Sequence, residues 1–445
     1  MRTVVWGMGA LGFAAVTTQL VMVREALGVF LGNEIVLGAL LGNWLWLTAV
    51  GTWIGGRHRR SGEPAGAPGG IALAWLLVLA AVLPEIQLVA LRALRPLFFP
   101  PGFTIGPVAA FGSILVILLP FCVVSGCALA VAVGEVKARA GGDALRRVYV
   151  ADCVGSVAGG LAVLGMAVAG WSSWGVLGSA AGVGLAAASV LAWTRGRHRP
   201  AIAALALGTV ILAIAGGADL DGLTWRWQPA GGVVRLQTQS AYGRLVVTES
   251  AGQRVVWQNG LPISSDQDLE AAEESVHLAM AQRPAAGRVL LLSGLLSGAL
   301  AEVLKYPVAE VVCLELDPAL VRLWQSGGVR REAVDDARVR VVVADSRVYL
   351  RETADRFDVV LMRLPDPATA LLNRFYTTEF CREAKRVLRA GGVLAWALGR
   401  YENVVSPDLA RLLSTGRRTL ESAFRHVEVL PGGRVWFLAS DGPLT

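Results

Sequence analysis

Charge is scarce in this chain. Asp, Glu, Lys and Arg make up only 17% of the 445 residues, and mean hydropathy is +0.54. A soluble domain carries about 25% charged residues, so the deficit excludes a wholly soluble protein and implies membrane spans. Cysteine is scarce too, with five in all. Cys122, Cys127 and Cys153 lie in apolar runs, Cys313 in an expected buried strand and Cys381 in an expected helix. No CxxC pair or Cys/His cluster has ligand spacing, so neither a disulfide framework nor a metal centre is expected. A cleavable leader is not expected either. The first apolar run continues far past signal-peptide length without an A-x-A end, so it reads as a span.

The charge that is present is unevenly placed. Long apolar runs fill the chain up to about Gly217, and beyond Asp219 it becomes charged and alternating. The expected organisation is a seven-span membrane domain over 1–218, a β meander over 219–265 and an α/β domain over 266–445. The net charge of +7 suggests nucleic acid at first sight. In the first half, however, the basic residues cluster in short loops between apolar runs: "GRHRR" at 56–60, "KARAGGDALRR" at 137–147 and "RGRHR" at 195–199. That is the positive-inside pattern of a membrane protein, and no nucleic-acid partner is expected.

Seven spans are expected, near 4–23, 35–54, 71–92, 107–134, 148–170, 173–194 and 201–217. The last is about as short as a crossing helix can be. The three basic loops follow spans two, four and six, so they share one side with the N-terminus, read as cytoplasmic. If the seventh span crosses, the second half lies outside the cytoplasm; if it lies in the interface, the second half is inside. Crossing is the expectation, in a bacterial-type inner (plasma) membrane. Glu85 and Asp152 fall within apolar runs, where a carboxylate marks either a polar cavity or a hydrogen-bonded structural position. Gly155 and Gly159 are four apart and suit close helix packing. Arg24, Glu25, Asn33 and Glu34 sit at a membrane edge, where snorkelling is the plainer reading.

In the second half, residues 233–260 alternate with period two between glycines, which predicts a small antiparallel meander. A helix is expected over 268–282. Strands at 288–292, 310–316, 338–345, 357–362 and 392–398 then alternate with helices, and a closing pair, "HVEVL" and "RVWFLAS", ends the chain. Such alternation predicts a parallel sheet covered on both faces, and the hairpin marks a Rossmann-like, class I methyltransferase-type fold. The first strand opens into the loop Ser293-Gly294-Leu295-Leu296-Ser297-Gly298, the place of a nucleotide-binding turn but poor in glycine.

Five stretches, "SAYGRLVV", "VCLELDP", "VVVADSRVYL", "FDVVLMRLPDP" and "FYTTEFCREAKRVLRAGGVLAW", carry a likeness. Over about 240–398 the chain resembles the spermidine synthases and related polyamine aminopropyltransferases, and as a whole it resembles their membrane-fused branch. The resemblance implies transfer of an aminopropyl group from decarboxylated S-adenosylmethionine to an amine. It puts Glu315 on the donor's ribose and Asp345 on the adenine, with Gly294 and Gly298 in the donor loop. It also exposes departures. Leu296 stands where the family has an Asp meeting the donor's cationic end, and Leu295 and Leu296 add bulk to the loop. Ile263 replaces a Gln. Arg363 stands at the position of the catalytic Asp, with Asp366 nearby. An Arg, whose pKa exceeds about 12, cannot serve as a general base at neutral pH, and it repels a diammonium substrate.

No catalytic residue is therefore expected to be intact, and Gly294, Gly298, Glu315 and Asp345 are read as a vestigial or weak donor site. The function expected is a non-catalytic structural or interaction subunit of a membrane complex, a pseudoenzyme in contact with the lipid bilayer and with other membrane or extracytoplasmic subunits, or a homo-oligomer. No cofactor or metal is expected. The alternative is an active membrane-anchored aminopropyltransferase or methyltransferase. It would use decarboxylated S-adenosylmethionine or S-adenosylmethionine, and Arg363 would bind an anionic acceptor. A transporter or channel with a regulatory domain is the third reading, weakened by the lack of a charged pathway through several spans.

Overall fold

The structure, a computed structural model, describes all residues except 31–33, 59–68, 100–104, 141–142, 226–231, 241, 328, 330–334 and 401–403. Asn33, Arg59 and Arg60, named above, lie outside the described residues. Two compact units divide the chain, Met1–Pro229 and Ala230–Thr445.

The first unit is helical: α1 (Arg2–Val29), α2 (Glu34–His58), α3 (Gly69–Phe98), α4 (Pro107–Ala140), α5 (Ala144–Val168), α6 (Ser173–Trp193), α7 (His198–Gly217) and the short α8 (Leu220–Trp225). Helices α1 to α7 are each long and apolar enough to cross a membrane, with α7 the shortest at 20 residues. At 1.5 Å per residue that is about 30 Å, one hydrocarbon thickness. Large apolar side chains such as Trp46, Trp53, Leu161 and Leu164 point outward, as lipid-facing positions do. Small residues set the closest approaches. A Cβ at Gly155 of α5 would lie 1.8 Å from the Gly9 carbonyl oxygen of α1, so the two backbones touch only because 155 has no side chain.

Each end of the bundle is tied by its own charges. At one end Arg92 of α3 is fully buried. Its Nε and Nη2 donate to the Glu25 carboxylate of α1 at 3.0 and 2.8 Å, and its Nη1 donates to Asp221 Oδ1 of α8 at 2.6 Å and Thr224 Oγ1 at 2.8 Å. Ser173 Oγ of α6 donates to Glu25 at 2.5 Å, and the Trp174 ring lies 5.7 Å from the guanidinium. Glu25 is thus a buried ion-pair partner, which corrects the snorkelling expectation; Arg24, next to it, is exposed. At the other end Arg195 pairs with Glu135 at 2.8 Å, and Arg147 Nη1 donates to Met1 Sδ at 3.8 Å. Helix α7 starts at this basic end and finishes at the Arg92 end. Glu85 of α3 buries both carboxylate oxygens without a hydrogen-bond partner among the described residues.

The second unit opens with β1 (Val233–Ser240), β2 (Gly243–Ser250), β3 (Gln253–Gln258) and β4 (Leu261–Ser265), an antiparallel meander in that order. Then come α9 (Leu269–Met280), β5 (Arg288–Leu292), α10 (Ala299–Val303), β6 (Glu310–Glu315), α11 (Pro318–Gln325), β7 (Val339–Val343), α12 (Ser346–Glu352) and β8 (Phe357–Met362). The chain closes with α13 (Ala370–Asn373), α14 (Thr378–Val387), β9 (Leu388–Leu398), α15 (Pro407–Glu421), β10 (His426–Leu430) and β11 (Val435–Ser440). The seven-stranded sheet runs β10-β11-β9-β8-β5-β6-β7, parallel from β7 to β9 and antiparallel at β11 and β10. Strand β5 is buried on both faces. Val289 and Leu291 face one core with α9, α10 and α11, while Leu290 and Leu292 face the other with α12 and α14. That two-sided burial is why the parallel strands read as unbroken apolar runs.

Candidate functional site

The carboxyl ends of parallel strands form the crevice where doubly wound sheets hold ligands. Here those ends stay in register past the strands themselves. Ser293 N–H donates to the Leu314 carbonyl at 2.9 Å, Arg363 N–H to Leu292 at 3.0 Å and Ala344 N–H to Glu315 at 3.1 Å. Ser293, Glu315 and Arg363 therefore stand side by side at one level of the sheet edge.

Glu315, at the end of β6, is 4% exposed. It accepts from Ser293 Oγ at 3.3 Å and from the Leu316 N–H at 3.0 Å. Burial outweighs these bonds and raises its pKa from 4.5 to about 7. Asp317 just beyond is a structural cap, accepting from Ala319 N–H at 2.9 Å and from Ser240 Oγ at 2.6 Å. Asp345 ends the β7 turn and caps α12 through Arg347 N–H at 2.9 Å, and Arg374 Nη2 pairs with it at 2.6 Å. Hydrogen bonds and the charge of Arg374 override burial and hold the Asp345 pKa below its usual value.

The loop after β5 keeps its unusual backbone. Ser293, Gly294 and Gly298 have φ of 61°, 85° and 81°. For Ser293 this is the left-handed region, which a non-glycine residue occupies at some cost. Gly294 has a specific reason to be glycine: a Cβ there would lie 2.6 Å from the Arg363 Cβ. The leucines depart from the sequence-based expectation. Leu295 and Leu296 are 3% and 4% exposed and pack into the core with Leu245 and Val247 of β2 and Val256 of β3. The meander offers this bulk apolar cover. Ser264 Oγ of β4 donates to the Leu296 carbonyl. Ile263 is an exposed residue of β4.

Arg363 follows β8. Its Nε is shut off from solvent and has no hydrogen-bond partner among the described residues. The guanidinium lies 6.0 Å from the Trp436 ring. Burial, with Arg434 and Arg400 adding like charge against Asp268, lowers its pKa to about 10, so it stays protonated at neutral pH. Asp366 offers no relief. It pairs with Arg434 and accepts from the Gly399 N–H at 3.1 Å. Arg434, Arg400, Asp268 and Trp436 were missed in the sequence because they come from the β10–β11 turn, the end of β9, the α9 N-cap and β11. None of them belongs to a local motif. A second cluster outside the crevice, Glu273, His277 and Glu302, brings its ligand atoms within 4.8 Å of one another. Lys305 Nζ already pairs with Glu302 there at 2.5 Å, and Tyr306 Oη lies 2.8 Å from His277 Nδ1.

The profile of the spermine/spermidine synthase domain matches residues 270–402. A polyamine aminopropyltransferase of Mycobacterium tuberculosis is 32% identical over 281 residues, covering 58% of this chain and 52% of that protein. Another, of Leptospira interrogans, is 33% identical over 165 residues, covering 36% of this chain and 33% of that protein. The chain thus spans about half or less of these relatives' length. The M. tuberculosis match also exceeds what the sheet unit alone makes up, so it reaches into the helical unit. Among solved structures, the spermidine synthase of Thermotoga maritima aligns with a TM-score of 0.40 at 22% identity, covering 47% of this chain and 73% of that one. The resemblance read from the sequence stands: a spermidine-synthase-like domain follows a region of long apolar helices.

Proposed function

We propose that this protein is a multi-pass membrane subunit whose spermidine-synthase-like domain has kept its ligand crevice and given up amine transfer. One observation supports the reading most directly. The position that must orient and deprotonate an attacking amine is held by Arg363, protonated at neutral pH and repulsive to ammonium groups. Two nearby carboxylates are already engaged, Asp345 by Arg374 and Asp366 by Arg434. Glu315 remains, about two strand spacings away from Arg363, or roughly 10 Å. The assay is release of methylthioadenosine from decarboxylated S-adenosylmethionine with putrescine as acceptor. No release above background is expected, and steady turnover overturns the reading.

The role that remains is binding, within an assembly of membrane subunits or of copies of this chain. Light scattering of the detergent-solubilised protein is expected to give a protein mass above the 46.9 kDa of one chain. A clean monomer argues against it. The two tied ends of the bundle support a placement of the second unit outside the cytoplasm. Helix α7 begins among the basic residues and ends beside Arg92, where α8 supplies Asp221. With the basic end cytoplasmic, the chain leaves the bundle on the opposite side. A C-terminal reporter that fluoresces only in the cytoplasm is expected to stay dark, and bright cells refute this orientation.

A further inference from the structure

We propose that the crevice is an anion-selective nucleoside site: Glu315 faces the sugar, and Arg363 receives a carboxylate or phosphate at the end of the nucleoside's tail. This rests on the reading that amine transfer is lost, and it names what the crevice holds instead.

Arg363 Nε is a charged donor enclosed by protein and without a hydrogen-bond partner among the described residues. Such a group is costly to keep, because an unmade hydrogen bond forfeits desolvation that nothing offsets. Three nearby carboxylates are engaged elsewhere: Arg374 holds Asp345, Arg434 holds Asp366 and the α11 N-terminus holds Asp317. Arg434 and Arg400 add positive charge around it, and Asp268 is the acidic residue that acts on it in opposition. A guanidinium presents planar paired donors that match a carboxylate or phosphate, so an anion fits this corner far better than an ammonium.

The geometry fixes the rest of the ligand. Glu315 and Arg363 stand at the same level on strands that flank β5, roughly 10 Å apart at two strand spacings. A sugar at one end and a charged tail group at the other cover that span. Between the two, Ser293 and Gly294 carry positive φ, and Gly294 has no Cβ, which lets the Arg363 side chain lie against its backbone beside the crevice. Glu315, shielded and bonded to Ser293, keeps acceptor oxygens for sugar hydroxyls.

Calorimetric titration of the full chain in detergent tests this with four probes: S-adenosylmethionine, its decarboxylated form, methylthioadenosine and AMP. At least one of S-adenosylmethionine, whose tail ends in a carboxylate beside an ammonium, and AMP, whose tail is a phosphate, is expected to bind about tenfold or more tighter than methylthioadenosine and the decarboxylated form. S-adenosylmethionine and AMP distinguish carboxylate from phosphate recognition. Arg363→Gln is expected to erase the preference while leaving methylthioadenosine affinity in place, and Arg363→Lys to keep part of it. Glu315→Gln is expected to weaken every probe. Melting curves confirm that each variant is folded. The proposal is overturned by equal or tighter binding of the decarboxylated form, by an unchanged preference in Arg363→Gln, or by no binding of any probe at millimolar concentration. These failures leave the proposed loss of transfer intact, because methylthioadenosine release alone decides that.

Discussion

Arg92, fully buried, and Arg363, partly buried with its Nε enclosed, are two arginines with opposite surroundings. In the helical unit Arg92 meets two carboxylates and a hydroxyl and keeps a tryptophan ring beside it. In the sheet unit Arg363 feels Arg434 and Arg400, with Asp268 acting against them, and leaves Nε unbonded among the described residues. A buried charge completed by its own chain is architecture: removing it leaves the partners stranded. One left incomplete costs the fold something, and under the proposal above a bound anion completes it.

The largest effect is expected at the complete site. Arg92→Met strands Glu25 and Asp221 in the bundle and should cost about 3–5 kcal/mol. The readout is the unfolding of the detergent-solubilised protein, and a melting point within a degree of the parent's breaks the comparison. Next comes the loop after β5. Leu296→Asp puts a carboxylate among Leu245, Val247 and Val256, at a cost on the order of 3 kcal/mol or more. Restoring an acid there should unfold the loop region rather than recover donor binding, as limited proteolysis would show.

Arg363→Met runs the other way. Removing an uncompensated charge should stabilise the protein by about 1 kcal/mol, or roughly 2–4 °C in melting temperature. A loss of that size instead means the arginine is paired in solution. The smallest effect is a slope. Burial raises Glu315 from 4.5 to about 7, so between those pH values the folded chain holds a proton that the unfolded chain has released. Its contribution is full below about pH 4.5 and is lost as pH rises through 7. Glu315→Gln should flatten the pH dependence of stability between pH 5 and 7, and an unaltered slope assigns it to other groups.

Much of this was legible in the chain. The seven apolar helices, the meander and the alternating strands follow from hydropathy and period, which are local. The position of Arg363 was legible as well, because "FDVVLMRLPDP" is a contiguous motif. What surrounds it was not. Arg434 lies 68 residues from the Asp366 it holds, and Arg92 lies 67 and 129 residues from Glu25 and Asp221. No pattern within a window connects such pairs. The burial of the loop leucines was not legible for the same reason, since the meander that receives them is made from an earlier part of the chain.

The Arg92 cluster also has a timetable. Glu25 is made first and Arg92 follows, but Asp221 emerges only after α7 has been completed. Until then the cation is half matched, and the bundle should be held together less firmly than when finished. A chain that stalls before α8 would carry a built-in mark of incompleteness that membrane quality-control proteases can read as looseness. Arrested chains ending at 217 and at 229 should differ in half-life, the shorter being degraded faster, and Arg92→Met should abolish the difference.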